Sequence, residues 1–131
     1  MKDSDPEKWV YREHTRVKHE ILEKYLKAWV MILGSHHKRI CYFDGFAGRG
    51  EYEGGFPGSP MIAMRVGNDL KDHVEEMVCL FIEKDQDNFE NLRTVTSRVQ
   101  KTCPHCKIEV VNEDFSTVIH GILEKYHSCP N

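Results

Sequence analysis

The stretch Ile40–Gly50, ICYFDGFAGRG, decides how this chain folds. Four apolar or aromatic residues lead to an acid, Asp44, and then to glycines at 45, 48 and 50. A short apolar run bounded by turn signals reads as a strand buried on both faces. Glycines placed directly after such a strand let the backbone adopt positive φ and let a ligand approach it closely. The stretch is therefore read as a buried strand that opens, at its carboxyl end, into a ligand-ready turn.

Upstream, Val17, Ile21, Leu22, Tyr25, Leu26, Trp29, Val30 and Leu33 recur at helical spacing, with Thr15 as N-cap and Gly34 as the stop. This predicts a helix over 15–34 with one wide apolar stripe, and Lys18 and His19 on its solvated face. Residues 1–14 are polar and contain Pro6; they are expected to form a mobile lead-in with Trp9 and Tyr11 docked. Ser35–Arg39, with His36-His37, reads as a solvated turn.

Downstream, Glu51–Gly58 (EYEGGFPG) is a loop, either a surface connection or a lid carrying Tyr52 and Phe56. Ser59-Pro60 suits a helix start, because Ser caps free amides and Pro early in a helix loses no needed donor. Ile62, Ala63, Val66 and Leu70 supply its stripe. Val78–Ile82 is a second buried strand ending at Glu83. Asp85 opens a further helix bearing Phe89, Leu92, Val95 and Val99. Lys101–Lys107 turns the chain into a shorter, more exposed strand, Ile108–Val111, that runs to Asp114-Phe115. Ser116 is placed to cap a last helix with Ile119, Ile122, Leu123 and Tyr126.

Helices alternating with strands predict an α/β fold: parallel strands joined by right-handed crossovers, Rossmann-like, in three α/β/α layers. Each strand is followed by an acid, Asp44, Glu83 and Asp114. Ligands of open parallel sheets bind beyond the carboxyl ends of the strands, so these carboxylates should gather at one edge beside the glycine turn.

The 131 residues suit a single domain, and 40% hydrophobic with 30% charged residues is ordinary for a soluble globular protein. The formal net charge of −3 gives no global case for a polyanion partner. Residues 1–50 hold ten Lys/Arg against seven Asp/Glu, and residues 51–131 hold eight against fourteen, so the basic excess lies in the first part. No apolar run approaches the roughly 20 residues needed to span a bilayer. The five cysteines, an odd number without a secretory signal, imply free thiols and a reducing, cytoplasmic setting. Cys103-Pro-His-Cys106 is a C-x-x-C pair that Cys129 with His120 or His127 could complete to a zinc tetrahedron; with only one knuckle, free thiols in a surface turn is the reading adopted, and no metal ligand is assigned.

The turn fits some ligands better than others. A dinucleotide fingerprint needs G-x-G-x-x-G and an acid about 20 residues on. Here Gly48-Arg49-Gly50 is followed by Glu51-Tyr52-Glu53, and Glu83 lies 39 residues beyond Asp44, which counts against a nicotinamide-dependent oxidoreductase. No Gly-Lys-Ser/Thr is present for a phosphate loop. An acid at the mouth of the turn repels phosphate but suits a cation or a hydroxyl-rich group. Glu83 is placed for a ribose diol and Asp114-Phe115 for a purine. A nucleoside with a charged amino-acid tail matches this set. Arg49 is placed to reach a neighbouring carboxylate or a substrate, and the residues do not choose between them.

This arrangement resembles the first half of a class I S-adenosylmethionine-dependent methyltransferase, whose D-x-F-A-G-x-G motif looks like Asp44–Gly50. Over most of the chain, Trp9–Thr15 (WVYREHT), Lys18–Leu26 (KHEILEKYL), Tyr42–Gly55 (YFDGFAGRGEYEGG) and Gly58–Ala63 (GSPMIA) resemble the three-Cys-motif partner family, TcmP. The resemblance implies S-adenosylmethionine as cofactor, strand order 3-2-1, and cofactor contacts at Asp44, Gly45, Phe46, Ala47, Gly48, Gly50, Glu83, Asp114 and Phe115. It implies a separate three-cysteine-motif protein as partner. Members of the family are generally longer, with a fourth strand beside the first that carries the acceptor-orienting motif. The chain is accordingly expected to be one partial domain (lead-in 1–14, helix 15–34, cofactor half 40–131), inactive alone, with no catalytic residue carried over. Its open sheet edge implies self-association or completion by further chain. The acceptor is unspecified, and the basic first part admits nucleic acid. The competing reading is a non-catalytic binding or assembly module for the three-cysteine-motif partner.

Overall fold

The structure, a computed structural model, describes residues 10–125. Its elements are α1 (Glu13–Gly34), β1 (Arg39–Asp44), α2 (Ser59–Asp69), β2 (Glu76–Ile82), α3 (Gln86–Gln100), β3 (Cys106–Val111) and α4 (Phe115–Lys125). The strands form one parallel sheet in the order β1-β2-β3, so β2 is central and β1 and β3 are the edges. This is the expected α/β, Rossmann-like layout with strand order 3-2-1. The register sets Phe43 beside Leu80, and Leu80 beside Glu109. Among the described residues no helix is long and apolar enough to cross a membrane.

The strands alternate between two cores. On one face Ile40, Met77, Cys79 and Phe81 meet Leu26 and Val30 of α1, Ile62, Ala63 and Val66 of α2, and Leu92 and Val95 of α3. On the other, Cys41, Val78, Leu80 and Ile82 meet Ile122 of α4, with Phe115 and Val118 against them. Phe81, the largest fully buried side chain, anchors the first core, where truncating such a ring costs about 3–5 kcal/mol. The near-continuous apolar runs of β1 and β2 exist because both sheet faces are covered.

Several sequence expectations shift in detail. The first helix starts at Glu13 with Arg12 at its N-cap, so Thr15 lies inside it and caps nothing. Its stripe is narrower than expected. Leu26 and Val30 are buried and Leu22, Trp29 and Leu33 pack beside them, whereas Ile21 and Tyr25 are 63% and 66% exposed. One flank of the stripe thus turns to solvent. His19 is half-buried in an aromatic cluster, its ring centroid 5.4 Å from that of Tyr52, while Lys18 is exposed. Tyr11 docks as expected, stacked on Phe56 at 4.3 Å, which fastens the Glu51–Gly58 loop to the start of α1. Trp9, Tyr126, His127 and Cys129 lie outside the described residues. The third strand is longer than expected, starting at Cys106. The free-thiol expectation holds for Cys79, Cys103 and Cys106, all buried; Cys41 is disulfide-bonded and does not share it.

Gly34 ends α1 for a reason that its place in the sequence does not disclose. A Cβ there would stand 2.3 Å from the backbone carbonyl oxygen of His73, in the loop between α2 and β2. The two connections cross at van der Waals contact, and a backbone atom cannot rotate away. Helix propensity alone predicts that Gly34→Ala stabilises by about 1 kcal/mol. The contact predicts the reverse, a loss of about 1–3 kcal/mol from overpacking. Urea unfolding of the two proteins separates these outcomes, and a more stable Gly34→Ala protein would refute the contact argument.

Candidate functional site

The glycine turn leaves β1 and folds back over the end of β2. Gly48 and Gly50 have φ of 75° and 91°, left-handed values that side-chain-bearing residues rarely adopt. The amide of Ala47 donates to the carbonyl of Ile82 at 3.0 Å, and that of Gly48 donates to Glu83 Oε1 at 2.8 Å. Glu83 is only 5% exposed, and its Oε2 accepts from the amide of Asp85 at 2.9 Å. One buried carboxylate therefore ties the glycine turn, the end of β2 and the start of α3 together. Such charge-assisted bonds are worth about 1.5–3 kcal/mol each. Asp85 in turn caps α3, its Oδ2 accepting from Asn88 N at 2.9 Å, as its position in the sequence predicts.

Asp44 sits at the carboxyl end of β1 and is half-buried. Its Oδ2 accepts the hydroxyl of Ser59 at 2.7 Å, and its Oδ1 accepts the amide of Phe46 at 3.2 Å. Ser59 is thus not the expected cap. Gly58 holds the N-cap position of α2, and the Ser59 hydroxyl serves the carboxylate instead. Burial pushes the Asp44 carboxyl above the ordinary aspartate value of 3.8, and the bonds from Ser59 and Phe46 only partly offset it.

Asp114 and Phe115 complete the edge. Asp114 is exposed; its Oδ1 accepts both the amide of Ser116, at 2.9 Å, and the Ser116 hydroxyl, at 2.6 Å. These bonds hold its carboxyl below the usual range. The acid, not Ser116, thus caps α4. Phe115 lies over Gly45, where a Cβ would meet its ring at 2.7 Å, so Gly45 is required by close packing. Phe46 is 80% exposed, with its ring 6.1 Å from that of Phe115.

The turn and the three expected acids therefore do lie at one end of the sheet, following the carboxyl ends of β1, β2 and β3. Their partners differ. Glu83 accepts a backbone amide on each oxygen and Asp114 accepts the Ser116 amide and hydroxyl on one, while Asp44 accepts the Ser59 hydroxyl and the longer Phe46 amide bond, and burial outweighs both. Arg49 is engaged within the protein, with neither a carboxylate nor a substrate as its partner here: its Nη1 donates to Asn88 Oδ1 at 3.2 Å, and its carbonyl accepts from Asn91 Nδ2 at 2.7 Å. Asn88, Asn91 and Asn112, whose Nδ2 donates to the Glu83 carbonyl at 2.9 Å, support the turn and draw no notice in the sequence, and Ser59 stands out there only as a helix cap. Compared with known proteins, the chain matches no family model, no curated protein and no solved structure.

The geometry sets the sign of a pH effect. A carboxyl whose folded pKa is raised binds its proton more readily in the native state, so its charge destabilises the fold above that pKa and the penalty disappears as pH falls below 3.8. Asp44→Asn keeps an acceptor for Ser59 or Phe46 without the charge. It should be as stable as wild type in acid and more stable near neutrality. Glu83→Gln should instead lose about 1–3 kcal/mol, since it turns an amide donor toward a backbone N–H. Thermal unfolding across pH reads both, and a neutral-pH loss in Asp44→Asn would contradict the assignment.

Proposed function

We propose that this chain is the cofactor half of a class I S-adenosylmethionine-dependent methyltransferase of the three-Cys-motif partner, TcmP, type. The observation that carries the reading is the Asp44–Gly50 turn. It has two left-handed glycines and a desolvated carboxylate at its mouth. A cationic sulfonium compound with an ammonium group returns to Asp44 the electrostatic partner that burial removes. A phosphate at the same place would meet repulsion. The exposed ring of Phe46 and the nearby ring of Phe115 offer apolar faces to a purine. Each oxygen of Glu83 has one lone pair beyond those given to Gly48 and Asp85, which suffices for a ribose hydroxyl.

Methyl transfer also needs an aligned acceptor, and no residue here is assigned to hold one. The placement of α4 bears on this. α2 and α3 cover one face, and α4 covers the other. A right-handed crossover through a helix on that second face would carry a following parallel strand to the β1 edge, beside Asp44. The acceptor-binding half is therefore assigned to a neighbour of β1, supplied in the same chain or by a partner. Nucleic acid is one acceptor class compatible with the basic first part of the sequence.

A second reading is favoured by a specific observation. Both Glu83 oxygens and one Asp114 oxygen are already bonded to backbone amides, as in a pocket retained for structure alone. On this reading the chain is a non-catalytic assembly module for a three-cysteine-motif protein.

Calorimetric titration with S-adenosylhomocysteine distinguishes the readings. The enzyme reading predicts saturable binding by the wild-type chain and about tenfold or greater weakening in Asp44→Ala, the equivalent of roughly 1.5–3 kcal/mol. Absence of binding by a folded wild-type chain rejects the cofactor site and leaves the module. Failure of a three-cysteine-motif protein to co-purify with the chain counts against the module.

A further inference from the structure

The opposite end of the sheet carries a cluster that the glycine turn does not use. Cys103, His105 and Cys106 lie in the turn that leads into β3, at the amino end of that strand. The sequence reads them as free thiols in a surface turn, but both thiols are buried, each at 1% exposure. The Gln100 side-chain amide donates to the carbonyls of Cys103, at 2.9 Å, and Cys106, at 2.6 Å, which fixes the turn. The sulfur atoms stand 2.6 Å apart. The ligand atoms of Cys103, His105 and Cys106 all lie within 4.8 Å of one another.

The imidazole is the informative member. His105 Nε2 lies 2.7 Å from the carbonyl oxygen of Gly67 in α2. A carbonyl only accepts, so Nε2 carries the proton and Nδ1 presents a lone pair. Nδ1 is 3.9 Å from Cys103 Sγ. An imidazole that binds a cation through one nitrogen and donates the other N–H to a backbone carbonyl is the usual supported form of a metal-ligating histidine. Gly67 also makes room: a Cβ there would stand 2.9 Å from Cys106 Sγ and 2.8 Å from Met77 Sδ. Cys103 Sγ further points at the carbonyl of Met64, at 3.7 Å.

We propose that Cys103, His105 and Cys106 form a binding site for a thiophilic divalent cation, zinc. Two sulfurs and one imidazole nitrogen are the donor set that zinc prefers, and a fourth position remains for solvent on the side of the half-buried imidazole. With zinc–sulfur bonds of about 2.3 Å in a tetrahedron, the sulfurs part to about 3.7 Å, within the reach of side-chain rotation. On binding, each thiol releases one proton to solvent and donates its electron pair, so two protons leave and no oxidant is needed. The ion would link the β3 turn to α2 through Gly67, far along the strands from Asp44.

The test is a titration of the fully reduced chain with cobalt(II) under anaerobic conditions, read by thiolate-to-metal charge-transfer absorption. One equivalent should give the band, and zinc(II) should displace it. Cys103→Ser and Cys106→Ser should each abolish or greatly reduce it. His105→Gln, which leaves the buried thiols in place, should keep a sulfur band but weaken affinity about tenfold or more, with unchanged circular dichroism. Affinity should fall as pH is lowered, because binding releases protons. A reduced wild-type chain without the band overturns the proposal. So does a band that persists in Cys103→Ser, or the finding that the pair simply closes to a disulfide and binds no cobalt when reduced.

Discussion

The bond from the Gly48 amide to Glu83 is the contact on which the carboxyl edge depends. It joins residues 35 positions apart, and the same carboxylate holds the amide of Asp85, the N-cap of α3. Together with the Ala47 amide on the Ile82 carbonyl and the Asn91 amide on the Arg49 carbonyl, it fixes where the left-handed turn lies over the sheet. A buried carboxylate is tolerable because both oxygens receive amide donors; unpaired, such a charge would be strongly unfavourable. Once the turn is fixed, the position of Ser59 follows, since the loop through Glu51–Gly58 returns to Gly50, where Gly58 N donates to the Gly50 carbonyl at 2.7 Å. α2 then starts with its hydroxyl against Asp44. Backbone geometry, a buried acid and a helix start are thus one linked unit.

The two sheet faces are unequally covered. α1, α2 and α3 share one face, and α4 lies on the other. That asymmetry follows from chain direction. Successive right-handed crossovers that extend the sheet from β1 to β2 to β3 keep their helices on one side, and a helix on the reverse side accompanies a reversal of direction. Among the described residues the sheet runs β1-β2-β3 without a reversal, and the glycine turn stands at its β1 edge.

Strands were legible in the sequence because burial on both faces leaves an apolar run with no polar alternation, as in Val78–Ile82. α3 was legible because its Asp85 cap and its Leu92–Val95 stripe agree. What was not legible is where one polar side chain serves another element. Ser59 has the composition of a cap and serves Asp44; Arg49 has the look of a ligand contact and serves Asn88. Periodicity also overstates burial on α1, because helical spacing cannot say how wide a face the sheet will cover, and Ile21 and Tyr25 fall outside it. Cys103 and Cys106 looked like surface residues because the turn around them is polar. Both pack under α2, Cys106 against Gly67 and Cys103 against the Met64 carbonyl, and neither α2 residue draws notice in sequence.

The three carboxylates of the edge show how residues of one chemical type divide between structure and ligand. Glu83 is buried but matched by two amides, so its charge belongs to the fold. Asp114 is exposed and caps α4 through Ser116, which holds its carboxyl low; its charge is also a structural one. Asp44 receives a hydroxyl and one longer amide bond, and burial outweighs both. Its charge is therefore the least compensated of the three in this fold. A group of that kind gains most from an incoming cation, since the cation restores stabilisation that water supplies in the unfolded chain. The acid at the mouth of the glycine turn is thus the one whose charge a positively charged ligand would stabilise, while Glu83 keeps the turn in place through Gly48 and Asp114 caps α4.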